Sequence, residues 1–194
     1  MKEAHPEKIV EVWFQDEARV GQQGRLTRVW SEKGVRTRLT KDMRFAYTYI
    51  YGAICPERDC GEAIVINTIG KEAMEQHLES VSARVPEDRH ALVVMDRAPW
   101  HRSLKVPKNM TVLSLPSYSP ELNPHENIWE YLKNNFLSNK VFDDLAHITN
   151  ACCQAWNALC LEVGRINSIG TRAWATIDKN LLKLVLPQKL TRPR

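Results

Sequence analysis

The run Ala91-Leu92-Val93-Val94-Met95 is continuously apolar and stops at Asp96. Five apolar residues without a polar break leave no face for water, so the segment fits a parallel strand covered on both sides. A second short buried strand fits 111–115, and only about fourteen residues, Pro99 and Pro107 among them, form the crossover between the two. Upstream, 8–16 alternates, with Val10, Val12 and Phe14 on one face and Glu11 and Gln15 on the other. Residues 25–31 and 35–39 read as a hairpin or bent strand around Glu32-Lys33-Gly34, and 45–55 as the third strand of a meander, rich in aromatic and β-branched residues. A short further strand covers 62–67. Helical spacing marks 71–84 (Met74, Leu78, Val81), 124–137 and 144–160 (Leu145, Ile148, Cys152, Trp156, Leu159). The expected fold class is α/β: a mixed five-stranded sheet, three antiparallel meander strands plus two parallel strands, flanked by helices.

At 194 residues one domain is the default, and 43% hydrophobic with 26% charged residues argues against disorder. The apolar runs are too short to cross a bilayer, and the first residues lack the apolar stretch of a secretory signal, so a cytoplasmic protein without a membrane partner is expected. Five cysteines without a Cys-x-x-Cys pair exclude a good zinc site and read as buried free thiols. The net charge of +4 is uneven: 165–194 carries seven basic residues against Asp178 alone, and 24–44 carries Arg25, Arg28, Lys33, Arg36, Arg38, Lys41 and Arg44 against Glu32 and Asp42. Two cationic segments suit a polyanion, through counterion release from phosphates, and equally suit a solvated strand face and a frayed tail.

Three acids stand out by position. Asp16 follows the first strand, Asp96 follows the apolar strand, and Glu126 lies in the first turn of the helix after Leu115. Ligands gather at the carboxyl ends of strands in open α/β sheets, and neighbouring parallel strands would end with Asp16 beside Asp96 and Glu126 opposite. Three converging carboxylates repel unless a cation intervenes, and a pair of Mg²⁺ ions suits oxygen ligands of this kind. Each acid also has a plain structural use. Aspartate often opens turns, and in Asn123-Pro124-His125-Glu126 the Asn suits a helix cap, Pro the first turn, and Glu a reach back to the cap amide.

Asp96-Arg97-Ala98-Pro99-Trp100-His101, Leu115-Pro116-Ser117-Tyr118-Ser119-Pro120-Glu121-Leu122-Asn123-Pro124-His125-Glu126-Asn127-Ile128-Trp129 and Trp13-Phe14-Gln15-Asp16-Glu17-Ala18-Arg19 together resemble the catalytic core of insertion-sequence transposases of the mariner superfamily. The resemblance runs from about residue 9 to about residue 160. It implies a ribonuclease H-like fold and a D-D-E triad of Asp16, Asp96 and Glu126 holding two Mg²⁺ ions, with Mn²⁺ able to substitute. His101, Asn123 and Glu17 are expected to support that triad, Glu130 is the acid most easily mistaken for Glu126, and Tyr118 and Trp129 are expected to pack. The interval from Asp96 to Glu126 is shorter than is common in the family, with the deficit between Ser103 and Met110. The family's N-terminal helix-turn-helix DNA-binding region is expected to be absent.

The resulting expectation is a catalytic domain over 1–164 and a basic, partly helical tail over 165–194. It would hydrolyse DNA phosphodiesters at element ends and transfer the 3′-hydroxyl into target DNA. Arg25, Arg28, Arg36, Arg38, Lys41 and Arg44 are the candidate contacts to double-stranded DNA. A homodimer, or a pairing with a chain carrying the DNA-binding half, and a nucleoid-associated location complete the expectation. The alternative is a catalytically silent remnant that binds DNA non-specifically or pairs with a longer transposase.

Overall fold

The computed structural model describes residues 8–24, 26–34, 38, 42–116 and 119–175. In chain order the elements are β1 (Ile9–Gly21), β2 (Tyr47–Cys55), β3 (Cys60–Ile66), α1 (Lys71–Ser82), β4 (Arg89–Met95), β5 (Met110–Ser114), α2 (His125–Leu132), α3 (Leu145–Leu161) and α4 (Arg165–Gly170). The strands form one sheet in the order β3-β2-β1-β4-β5. β1–β2 and β2–β3 pair antiparallel, while β1–β4 and β4–β5 pair parallel. The mixed five-stranded sheet is thus the expected one, and all of Ala91–Met95 is buried.

Each face of the sheet has its own core. Val12, Phe14, Ala18 and Val20 pack with α2 and α3 through Ile128, Trp129, Ile148, Cys152 and Trp156. Trp13, Tyr51, Val93 and Met95 pack with α1 through Met74, Leu78 and Val81. Because β1 lies in the middle of the sheet and is covered on both sides, its polar residues Glu11 and Gln15 are fully buried as well. Glu11 is paired there with Arg58 and Arg89, each at 3.2 Å, and accepts the Trp13 indole N–H at 2.7 Å. A buried carboxylate needs such partners.

Several expectations change. β1 runs to Gly21 rather than ending at 16, because Ala18 and Val20 continue the inward alternation and β2 pairs with it to the end, Gly21 opposite Tyr47. No strand forms among the described residues of the 25–39 segment. It is tied instead to a distant loop: the Thr27 backbone N–H donates to Asn139 Oδ1 at 2.9 Å, and Asn139 Nδ2 donates to Thr27 Oγ1 at 3.0 Å. The 45–55 strand is therefore second in the meander, and Cys60–Ile66 is third. Cys55 and Cys60 face each other across β2 and β3 as free thiols. Of the five cysteines Cys55 and Cys152 are buried, and Cys153 is exposed.

The helix after Leu115 is α-helical only over His125–Leu132 and continues as a π turn over Lys133–Leu137. The start of the expected tail is part of the core. Ile166 and Ala175 are buried, and Trp174 meets Phe14 edge to face at 5.8 Å; residues 176–194 lie outside the described residues. No helix among the described residues is long and apolar enough to cross a membrane.

Candidate active site

Asp16 sits within β1, two residues past the last β1–β4 pair, Phe14 opposite Val94; Asp96 is two residues past Val94 and directly follows β4. Parallel pairing thus brings the two acids to the same end of adjacent strands, as the sequence led us to expect, although Asp16 lies inside its strand. Across the antiparallel side its partner is Gly52. Asp16 shares the alternation of Phe14 and Ala18, which face α2, and the Trp129 indole N–H donates to Asp16 Oδ2 at 2.9 Å. Burial raises the Asp16 carboxyl to about 7; the Trp129 hydrogen bond opposes the rise, and the charges of Glu17 and Glu126 add to it.

Glu126 is exposed in the first turn of α2, and Asn123 sets where that turn begins. The buried Asn123 amide donates from Nδ2 to the Gln15 carbonyl at 3.0 Å, and its Oδ1 accepts the His125 backbone N–H at 3.1 Å. One side chain therefore pins the start of α2 to the β1 residue immediately before Asp16. Of the expected cap, the Asn123 side chain serves the His125 N–H, and Pro124 rather than Asn123 directly precedes the first residue of α2.

A second feature joins the other sheet face. His101 closes the 3-10 turn Pro99–His101 after β4. Its Nε2 lies 2.9 Å from Glu17 Oε1 and its Nδ1 2.9 Å from Asp96 Oδ1. Carboxylate oxygens only accept, so both ring nitrogens donate and the ring is an imidazolium. Burial works against that charge, but the hydrogen bonds to Asp96 and Glu17 prevail and push His101 up to about 10. The same hydrogen bond holds Asp96 below the ordinary carboxylate range against the effect of burial, helped by the Ala98 backbone N–H at 2.9 Å. The Trp100 indole N–H also reaches Glu17, at 3.4 Å.

Glu126 is thus close enough for its charge to disfavour that of Asp16, while Asp96 is drawn towards His101. No three His, Cys, Asp or Glu side chains among the described residues are arranged to hold a metal ion. The donor chemistry nonetheless fits a hard divalent cation: Asp16 and Glu126 offer carboxylate oxygens, and among the described residues no cationic side chain is recorded as keeping Asp16 ionised. Glu130 is exposed one turn further along α2.

Of the candidate DNA contacts, Arg28, Arg38 and Arg44 are described and exposed, whereas Arg25, Arg36 and Lys41, like Tyr118, lie outside the described residues. Arg44 spends its donors within the protein, on Asp42, on the Phe142 carbonyl at 2.6 Å and on the Asp143 carbonyl at 2.7 Å. Sequence reasoning missed Arg19. It projects from the unexpected extension of β1, lies over the Tyr47 ring at 4.1 Å, and lines a cleft of about 160 Å³ with Gln23, Arg44, Phe45 and Tyr47. The alternation of Ala18 and Val20 was the available signal.

Comparison with known proteins decides the family. The family described as DDE superfamily endonuclease matches residues 11–149, well over half of the chain. The chain belongs to the DDE superfamily endonucleases. It is similar to the uncharacterized protein y4pE/y4sA of Sinorhizobium fredii (strain NBRC 101917 / NGR234), with 44% identity over 131 residues, covering 66% of this chain and 97% of that protein. Among solved structures it is similar to the Mos1 mariner paired end complex with Mn, at a TM-score of 0.57 and 16% identity over 84% of this chain and 56% of the other. The Mos1 paired end complex with Mg gives 0.58 and 16%, over 80% and 49%. This DDE-family chain thus spans about half the length of the Mos1 chains it matches, and at that identity the likeness is one of ribonuclease H-like fold.

Proposed function

We propose that this chain is the catalytic domain of a DDE transposase that hydrolyses DNA phosphodiester bonds at element ends and transfers the freed 3′-hydroxyl into target DNA. Asp16, Asp96 and Glu126 are its cation-holding acids. The observation that carries this reading is the placement of Asp16 and Asp96, each two residues past the last β1–β4 pair, with the Asn123 side chain tying the start of α2, which bears Glu126, to Gln15 next to Asp16. Asp16 is buried there without, among the described residues, the cationic partners that a buried structural acid normally has and that Glu11 has in the same strand.

When bound, two Mg²⁺ or Mn²⁺ ions would supply Lewis-acid activation of the nucleophile and stabilise the leaving oxygen. The chain's own residues do the rest. Asp16 and Glu126 present oxygens from β1 and α2, with Asn123 fixing one element against the other. His101 keeps Asp96 ionised and, through Glu17, ties the end of β4 to β1. Arg28 and Arg38 would position double-stranded DNA through its phosphates, without reading sequence. A second copy, or a chain bearing a helix-turn-helix, is the proposed partner, and the nucleoid the proposed location. The catalytic unit spans residues 1–164 together with the packed segment 165–175.

Incubation of the full chain with a supercoiled plasmid carrying the element ends, with Mg²⁺ and with Mn²⁺, tests the reading. Nicking is expected from the wild type. Asp96→Asn is expected to lose it while folding and binding DNA normally; nicking retained by that variant would remove Asp96 from the mechanism. DNA binding without cleavage by the wild type, with either ion and with a longer transposase added, would establish the silent-remnant alternative.

A further inference from the structure

We infer that Trp129 is a positioning residue whose indole N–H holds the Asp16 carboxylate ready for a divalent cation, and that Gly52 is the residue that lets it do so. This rests on the proposed role of Asp16. The contact is direct, Trp129 Nε1 donating to Asp16 Oδ2 at 2.9 Å. Gly52 is the β2 partner of Asp16, and its missing side chain leaves a hollow in the sheet face beside the acid.

Three rings fill that hollow. His125 and Trp129 lie with centroids 4.7 Å apart, and His125 stacks on Trp156 at 6.2 Å with planes 11° apart. A Cβ at position 52 would fall 2.8 Å from Trp156 Cη2 and 2.9 Å from both His125 Cε1 and Trp129 Cη2. All three rings would then have to move. The hollow therefore sets how closely the indole sits against the sheet, and so whether its N–H reaches Asp16.

Apolar packing alone does not call for the indole nitrogen, because a fused ring of the same size with sulfur in place of the N–H would fill the same space without a donor. α2 delivers two groups to the same strand, the Glu126 carboxyl and, three residues on along the same helix face, the Trp129 donor. A ligand carboxylate whose orientation is fixed by an outer hydrogen bond takes up a cation at lower cost, and removing such a partner typically weakens affinity about 10–100-fold.

The test is Mn²⁺ affinity of the full chain, read from the electron paramagnetic resonance signal of free Mn²⁺. Trp129→Phe is expected to weaken binding at least about 10-fold and Gly52→Ala to do the same, while Trp30→Phe, at an exposed tryptophan outside the ring cluster, binds as the wild type does. Should Trp129→Phe fail to fold, benzothienylalanine at position 129, which replaces only the N–H by sulfur, is expected to give the same weakening. Wild-type affinity in either Trp129 variant, with binding lost in Asp16→Asn, overturns the inference and leaves the role of Asp16 intact. Wild-type affinity in Asp16→Asn removes that role itself.

Discussion

At the scale of single residues, two acids on neighbouring strand ends are treated in opposite ways. Asp96 receives an imidazolium and a backbone N–H and stays ionised, whereas Asp16 is buried beside Glu17 and Glu126 with an indole as its side-chain donor. Its carboxyl rises from the ordinary 3.8 to about 7. The folded state then holds a proton that the unfolded chain releases, so stability from this group is fully present below pH 4 and is lost as pH rises through about 7. Asp16→Asn, which keeps an acceptor for Trp129, is accordingly expected to stabilise the cation-free protein by about 2–4 kcal/mol at pH 8. The gain should vanish below pH 4. Thermal unfolding at both pH values, with a chelator present, checks this; equal melting temperatures at pH 8 would show that Asp16 is not strained.

At the scale of elements, Asn123 joins two pieces whose relative placement decides whether Asp16 and Glu126 meet. Asn123→Ala removes its hydrogen bonds to Gln15 and His125, and is expected to cost about 1–2 kcal/mol in denaturant unfolding. Nicking by that variant should fall further than its stability or DNA affinity. What could be read from the sequence also divides by element. The apolar run ending at Asp96 announced β4, because a strand covered on both faces needs no polar residues. The Asn-Pro-His-Glu run announced the start of α2, because an Asn side chain that accepts a backbone N–H suits the first turn of a helix. Two features were less legible. The extension of β1 through Gly21 depends on pairing with β2, and the burial of Glu11 depends on Arg58 and Arg89 from elsewhere in the chain. The 25–39 segment has strand-like residues, but its Thr27 is claimed by Asn139, a partner that no local pattern reveals. The Trp129 donor was hidden similarly, since a tryptophan in a helix stripe reads as packing until its distance to Asp16 is known.

At the scale of the whole molecule, Asp16 and Asp96 lie at one end of the sheet, and the long β1–β2 connection carries exposed Arg28 and Arg38. Phosphate contacts there would release counterions, so each arginine replaced by alanine is expected to lower the slope of log affinity against log salt by about 1, evenly across DNA sequences. Titrations of labelled duplexes at several salt concentrations would show it; an unchanged slope in Arg28→Ala would place the DNA elsewhere. All of these readings depend on three carboxylates, distant in sequence, serving one pair of cations. The most direct measurement is anomalous scattering from crystals of the protein soaked in Mn²⁺. The account predicts two peaks among the carboxylates of Asp16, Asp96 and Glu126; Mn²⁺ bound at other residues, with none among these three, would contradict it.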